Sequence, residues 1–268
     1  MNNSREALPF VALGIAVVIL VTLVANRDQL ARIAWENYQN PMAASVLASS
    51  DVELLMQLGN YYFGGGEYDL GKAFAIYTKA VELDPKVFWG EYQIARINFV
   101  RSDFEEALSS INREIDNHPT NLRALYIRGL IYAYRGKTGD LEQAISDFER
   151  FVEWAPQEWA GYNDLAWLYS TVGKYDSAHV VMERAFLKVP EAADNPWLWN
   201  SLGLAELNLK KYSKAAEAFE EAQRLAANLS IDDWRKSYSG NDPRYDERGV
   251  EAFREAISKN LLKAKAGQ

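Results

Sequence analysis

The chain has 268 residues, a formal net charge of −8, 49% hydrophobic residues and 25% charged residues. These ordinary globular proportions argue against wholesale disorder and against many membrane spans. Cysteine is absent and the only histidines are His118 and His179, which argues against disulfides, thiolate or histidine-built metal sites and cysteine nucleophiles, and the acidic balance disfavours nucleic acid as a partner.

Residues 1–7 form a short N-terminal tail. Residues 8–25, LPFVALGIAVVILVTLVA, carry no charge. As a helix this stretch spans about 27 Å, close to the ~30 Å hydrocarbon core of a bilayer, and it is expected to be one transmembrane helix. A cleaved signal peptide is the competing reading. It needs small residues at −3 and −1 of the cleavage site, and Leu23 stands at −3 before Asn26. Lys and Arg nearly cancel across the two flanks, so orientation rests on position. An N-terminal signal anchor leaves the tail in the cytoplasm and exports the body, here across a bacterial-type plasma (inner) membrane. Residues 26–50 are expected to be a juxtamembrane helix/linker, with 42–50 either a short apolar helix or a linker. Trp35 and Tyr38 suit an interface, and Asn40-Pro41 breaks the chain.

From Asp51 the sequence repeats itself. A small residue opens each unit: Gly59, Ala95, Gly129, Ala166 and Gly203. A second follows at Ala73, Ala107, Ala144, Ala178 and Ala215, spaced 34, 37, 34 and 37. Pro85, Pro119, Pro156 and Pro190 close four units. Apolar residues recur at helical spacing within each, as in Tyr162, Leu165, Ala166 and Tyr169. Each unit therefore reads as two amphipathic helices. A helix pair cannot bury both faces alone, so units stack around one continuous core.

This pattern resembles the tetratricopeptide repeat. Gly59, Gly129 and Gly203 fit its helix-crossing glycine, Tyr62, Tyr132 and Tyr169 the aromatic one turn later, and Tyr77, Phe148 and Phe219 the aromatic of the second helix. Departures are Glu114 and Phe151 in place of a later alanine, Asn98 and Glu206 in place of the tyrosine, and Ala227 in place of the last proline. The resemblance implies an all-α, right-handed α-solenoid of about five helix pairs. The array covers 51–228, in units of about 52–85, 86–119, 120–156, 157–190 and 191–228. Residues 229–245, with a turn-rich stretch at 239–243, are expected to be an irregular connection. Residues 246–264 are expected to form a capping helix, with Val250, Phe253, Ile257 and Leu261 on one face.

No motif speaks for catalysis, a metal or a cofactor. Gly136-Lys137-Thr138 lacks the earlier glycine of a phosphate loop, since Ile131 stands there, and it follows a helix. His118, before Pro119, and His179 have no ligand-spaced partners, and the acidic runs read as solvated helix faces. The resemblance implies that first helices line a concave groove. Registered on the crossing glycines, that face takes Met56 and Asn60, then Trp89, Tyr92, Arg96 and Phe99, then Arg123 and Tyr126, then Asn163 and Trp167, then Trp197 and Asn200. Aromatics and Arg are enriched at binding hot spots, and Asn can hold a peptide backbone. Aromatics also fill cores, so part of this set belongs to either. Some family members clamp a C-terminal carboxylate with Lys, Asn and Arg. Asn60 and Arg123 fit two clamp positions, but Met56 and Ile127 stand where basic residues belong. The expected function is a membrane-anchored adaptor or scaffold that holds a protein segment in the groove. The alternative is an accessory subunit of a membrane complex that uses its convex face or residues 229–245.

Overall fold

The computed structural model describes residues 21–238 and 240–267. The expected span at 8–25 lies mostly outside them, and among the described residues no helix is long and apolar enough to cross a membrane. The described residues are helical throughout, with one isolated bridge, Phe63 to Tyr68, in place of strands. They form two compact units, one ending at Gly90 and one beginning at Glu91.

The first unit holds α1 (Arg27–Glu36), α2 (Pro41–Leu47), α3 (Val52–Tyr62) and α4 (Leu70–Leu83). Of the two readings of 42–50, the helix is the one present, and residues 26–50 form a helix pair folded onto the first repeat. Side chains of α1 explain this. Asp28 accepts from the backbone and hydroxyls of Ser49 and Ser50. Arg32 bonds both carboxylate oxygens of Asp51, which also caps α3 by accepting from the Leu54 amide. Trp35, read from sequence as interfacial, donates to Gln57 Oε1 at 2.9 Å and packs edge-on against Tyr61. Burial raises the Asp28 carboxyl pKa, but the four bonds from Ser49 and Ser50 outweigh it and hold the group well below the usual range. A depressed carboxyl contributes stability that is complete above its unfolded value near 3.8 and is lost as pH falls through the folded value. Asp28→Asn is therefore expected to speed amide exchange at Ser49 and Ser50 at pH 7. Unchanged protection would show that this cap does not hold α1.

The second unit continues with α5 (Gly90–Val100), α6 (Phe104–Asn117), α7 (Arg123–Arg135), α8 (Asp140–Trp154), α9 (Trp159–Thr171), α10 (Tyr175–Lys188), α11 (Pro196–Asn208), α12 (Tyr212–Ala226), α13 (Ile231–Ser237) and α14 (Asp246–Ala266). Helices α5 to α12 pair within repeats and stack between them. At the crossings, small residues face rings: Gly129 lies under Phe148 and Gly203 under Phe219, both rings fully buried. Glycine or alanine there brings helix axes to the close end of the 8–10 Å range. Within the pair α7–α8, buried carboxylates pin one helix to the other. Asp147 takes two bonds from Arg128 at 2.7 and 2.8 Å, and Asp140 takes two from Arg135 at 2.9 and 2.7 Å.

Residues 229–245 are not irregular throughout. Ser230 and Asp233 make a reciprocal capping box that starts α13, and Pro243–Tyr245 is a 3-10 turn. The indole of Trp234 lies so close over Gly249 that a Cβ there would stand 2.4 Å from the ring. Arg254 of α14 donates to the carbonyls of Ala226, Ala227 and Leu229, satisfying the open C-terminal end of α12. The capping helix runs on to Ala266, and Leu261 and Ala264 pack on Ala215 and Phe219.

Candidate protein-binding face

In the second unit the first helices of successive pairs stand side by side, and ring contacts run across them. Phe99 of α5 meets the Tyr134 ring of α7 at 5.4 Å and 82°, and Tyr134 meets Trp167 of α9 at 6.1 Å and 31°. Tyr134 is 62% exposed and Trp167 45% exposed. Large rings left this open, in contact and in a row, are uncommon on a surface with no binding role.

Beneath the ladder lies a carboxylate. Asp164 of α9 accepts from the Tyr126 hydroxyl at 2.8 Å and from Asn163 Nδ2 at 3.0 Å. Asn163 Oδ1 in turn accepts from Ser201 Oγ of α11 at 2.6 Å. One polar chain therefore links α7, α9 and α11. Burial raises the Asp164 carboxyl to about 6, and the Tyr126 and Asn163 bonds recover only part of that shift.

The residues singled out from sequence fall into three groups. Tyr92, Phe99, Tyr126, Asn163 and Trp167 share this face. Tyr126 is half buried, its ring 5.4 Å from Phe148 and 5.0 Å from Phe151. Arg96 bonds Gln93 and lies over the Tyr92 ring, while Arg123 pairs with Glu158 at 2.7 Å. Trp197 and Asn200 are inner-helix residues too, but the C-terminal helices cover Trp197. Its ring lies between Trp159 at 5.0 Å and Phe253 at 5.6 Å, with Tyr238 edge-on, leaving 7% exposed. It is a core residue, not a groove contact. Asn200 Oδ1 is buried without a hydrogen-bond partner. Asn60 and Trp89 lie in the first unit. Asn60 is exposed and accepts from Tyr77 Oη at 2.7 Å. Trp89 precedes its helix in a left-handed conformation, φ 72°, beside Phe88, so it is not on a first-helix face.

Sequence reasoning missed Tyr134, Asp164 and Tyr238. Tyr134 stands five residues beyond the crossing residue Gly129, whereas Phe99 stands four beyond Ala95, so the repeat register alone did not mark it. A cavity of about 740 Å³ opens beside the Trp159 and Trp197 stack, with Glu158, Glu191, Asp194 and Asp233 among its walls against a single lysine, Lys236.

A family model for the tetratricopeptide repeat matches residues 92–158 and 163–230, together half of the chain. The chain belongs to the tetratricopeptide repeat family. It is 27% identical over 143 residues to the photosystem I assembly protein Ycf3 of Acaryochloris marina (strain MBIC 11017), covering 52% of this chain and 74% of that one. Among solved structures it is similar to PilW, a widely conserved type IV pilus biogenesis factor, with TM-score 0.58 and 17% identity over 81% of this chain and 99% of that one. It is also similar to YrrB, a tetratricopeptide protein with an unusual peptide-binding site, with TM-score 0.53 and 18% identity over 70% and 93%. These structural likenesses establish the fold.

Within this family pattern, the departures have local explanations. Glu114, in place of a small residue, is buried and accepts from Asn121 Nδ2 at 2.8 Å and from the Tyr92 amide at 3.3 Å, tying the next turn and α5 together. Glu206, in place of the aromatic, is buried beside Lys211 at 3.3 Å and His179 at 3.4 Å. Lys137 of the phosphate-loop-like triplet pairs with Glu105, and Gly136 ends α7 in a left-handed turn.

A raised carboxyl contributes stability that is complete below its unfolded value of 3.8 and is lost as pH rises through about 6. Ionised Asp164 therefore weakens the fold at neutral pH, by at most about 2–3 kcal/mol since the residue keeps some solvent contact. Asp164→Asn is expected to raise the melting temperature at pH 7.5, and the gain should close below pH 4. A variant less stable than the parent at pH 7.5 would contradict this assignment.

Proposed function

We propose that the chain is an adaptor or assembly scaffold that holds an extended or helical segment of a protein partner against the first-helix face of the second unit. The ladder Phe99, Tyr134 and Trp167 carries this reading: three rings in contact, from three consecutive repeats, with Tyr134 and Trp167 exposed and no covering element on them among the described residues. Stacked repeats present extended concave surfaces of this kind, and aromatics supply most of the energy at such interfaces. The likeness to an assembly protein and to a pilus biogenesis factor is in keeping with this reading. No catalytic step is assigned. The apolar stretch at 8–25 serves as the membrane anchor, with the repeats exported. Anchoring raises the concentration of the face near membrane-bound partners.

Replacing Tyr134 and Trp167 together by alanine tests this. The double variant should keep its helical signal and melting midpoint yet lose partner capture in cells. Full capture by the folded variant would remove the face from consideration. A second reading has its own observation: Leu187 is 84% exposed and Val180 59% exposed on α10, an apolar patch on a second helix fit for permanent attachment to a complex.

A further inference from the structure

We propose that the Asp164 carboxylate is the receptor for one arginine or lysine side chain of the bound segment, with the rings around it forming the walls that hold the side chain's stem and charge. This rests on the first-helix face being the binding face and names the chemistry that face selects.

Charge pairing in the second unit sets Asp164 apart. Other deeply placed carboxylates have a cationic partner: Glu91 has Arg113, Asp140 has Arg135, Asp147 has Arg128, Asp246 has Arg235 and Glu206 has Lys211. Glu114 lacks one, but it is 1% exposed and closed off by Asn121 and the Tyr92 amide. Asp164 has only two neutral donors, Tyr126 and Asn163, and it opens on the aromatic face. A carboxylate taken from water without a cation is undercompensated. An incoming ammonium or guanidinium would supply what the fold withholds.

The surroundings fit such a guest. Trp167 follows Asp164 by three residues and so shares its helix face. Tyr134 touches Trp167, and both Tyr134 and Tyr238 lie within electrostatic range of the carboxylate. Aromatic faces attract a cation, more strongly where water is displaced. The cations already on this face are engaged elsewhere, Arg123 with Glu158 and Arg96 with Gln93. The nearby cavity adds acidic side chains of the same sign. The ionisable groups facing Asp164 are Tyr126 and Tyr134 from α7 and Tyr238 beyond α13, all phenols that stay neutral through the pH range where Asp164 titrates. Acidification through pH 6 should therefore weaken the site by protonating Asp164 itself.

The test uses the full-length chain and two pools of fluorescein-labelled decapeptides with identical randomised flanks. One pool has arginine at the centre and the other has citrulline, its neutral counterpart. Fluorescence anisotropy at pH 7.5 should show the arginine pool binding about tenfold more tightly. Asp164→Asn should erase that advantage, and the parent's advantage should shrink at pH 5. Equal binding of both pools by the parent, or an advantage that survives in Asp164→Asn, overturns the cation receptor and leaves the binding face standing. Binding of neither pool overturns the face and the receptor together. The variant's melting curve, read alongside, shows that any loss is not unfolding.

Discussion

Phe148→Ala is expected to destabilise the second unit by about 3–5 kcal/mol, the range for deleting a fully buried ring. Phe148 has no exposed surface. It covers Gly129, whose Cβ would stand 3.1 Å from the ring, and it meets Tyr126 at 5.4 Å. The ring thus joins the two helices of its own repeat and supports the residue that holds Asp164. It also belongs to a core cluster running from Ala133 to Ala205. Stability in a stacked array is a sum of repeat and neighbour-interface terms, so the loss should spread to both flanking repeats. Urea unfolding followed by far-ultraviolet circular dichroism measures it. A cost below ~0.5 kcal/mol, the level of an ordinary surface substitution, would mean that the ring does not join the repeats.

Gly203→Leu is expected to cost about 1–3 kcal/mol or more, from overpacking. A Cβ at Gly203 would lie 2.6 Å from the fully buried Phe219 ring, which α14 closes off through Leu261 and Ala264. The ring cannot move aside without pushing against that helix. Lys214→Leu, on the exposed side of α12, should stay within about 0.5 kcal/mol and serves as the comparison. Equal melting midpoints for the two variants would contradict the close crossing of α11 and α12.

The helix pairs and their crossings were legible because they are written in local spacing. Gly129 and Phe148, or Gly203 and Phe219, are fixed by a repeat period that a sequence displays directly. The face of each first helix followed from the same register, which put Phe99, Tyr126 and Trp167 on one side of the array. What was hidden depends on residues far apart in the chain. Trp197 sits in the inner register, yet Phe253 and Tyr238, more than forty residues later, cover it. The packing of residues 26–50 was hidden because their partners, Asp51 and Gln57 among them, belong to the first repeat. Helix α13 was masked by the turn-rich stretch after it and by a capping box that uses Asp233 where Glu or Gln is commoner. Trp89 was misplaced because a left-handed backbone at a non-glycine residue leaves no mark in the sequence. Asp164 was passed over because an acid on an amphipathic helix reads as solvated. Only its depth beneath Tyr126, and the want of an arginine beside it, set it apart.

Photocrosslinking in intact cells tests most directly the claim that the first-helix face holds a partner. A benzophenone amino acid replaces Trp167 in one variant and Leu187 in another. The account predicts that the probe at 167 captures one discrete protein, that the probe at 187 does not, and that Asp164→Asn weakens the capture at 167. Capture at 187 with none at 167 would contradict it and assign the interface to the second helices.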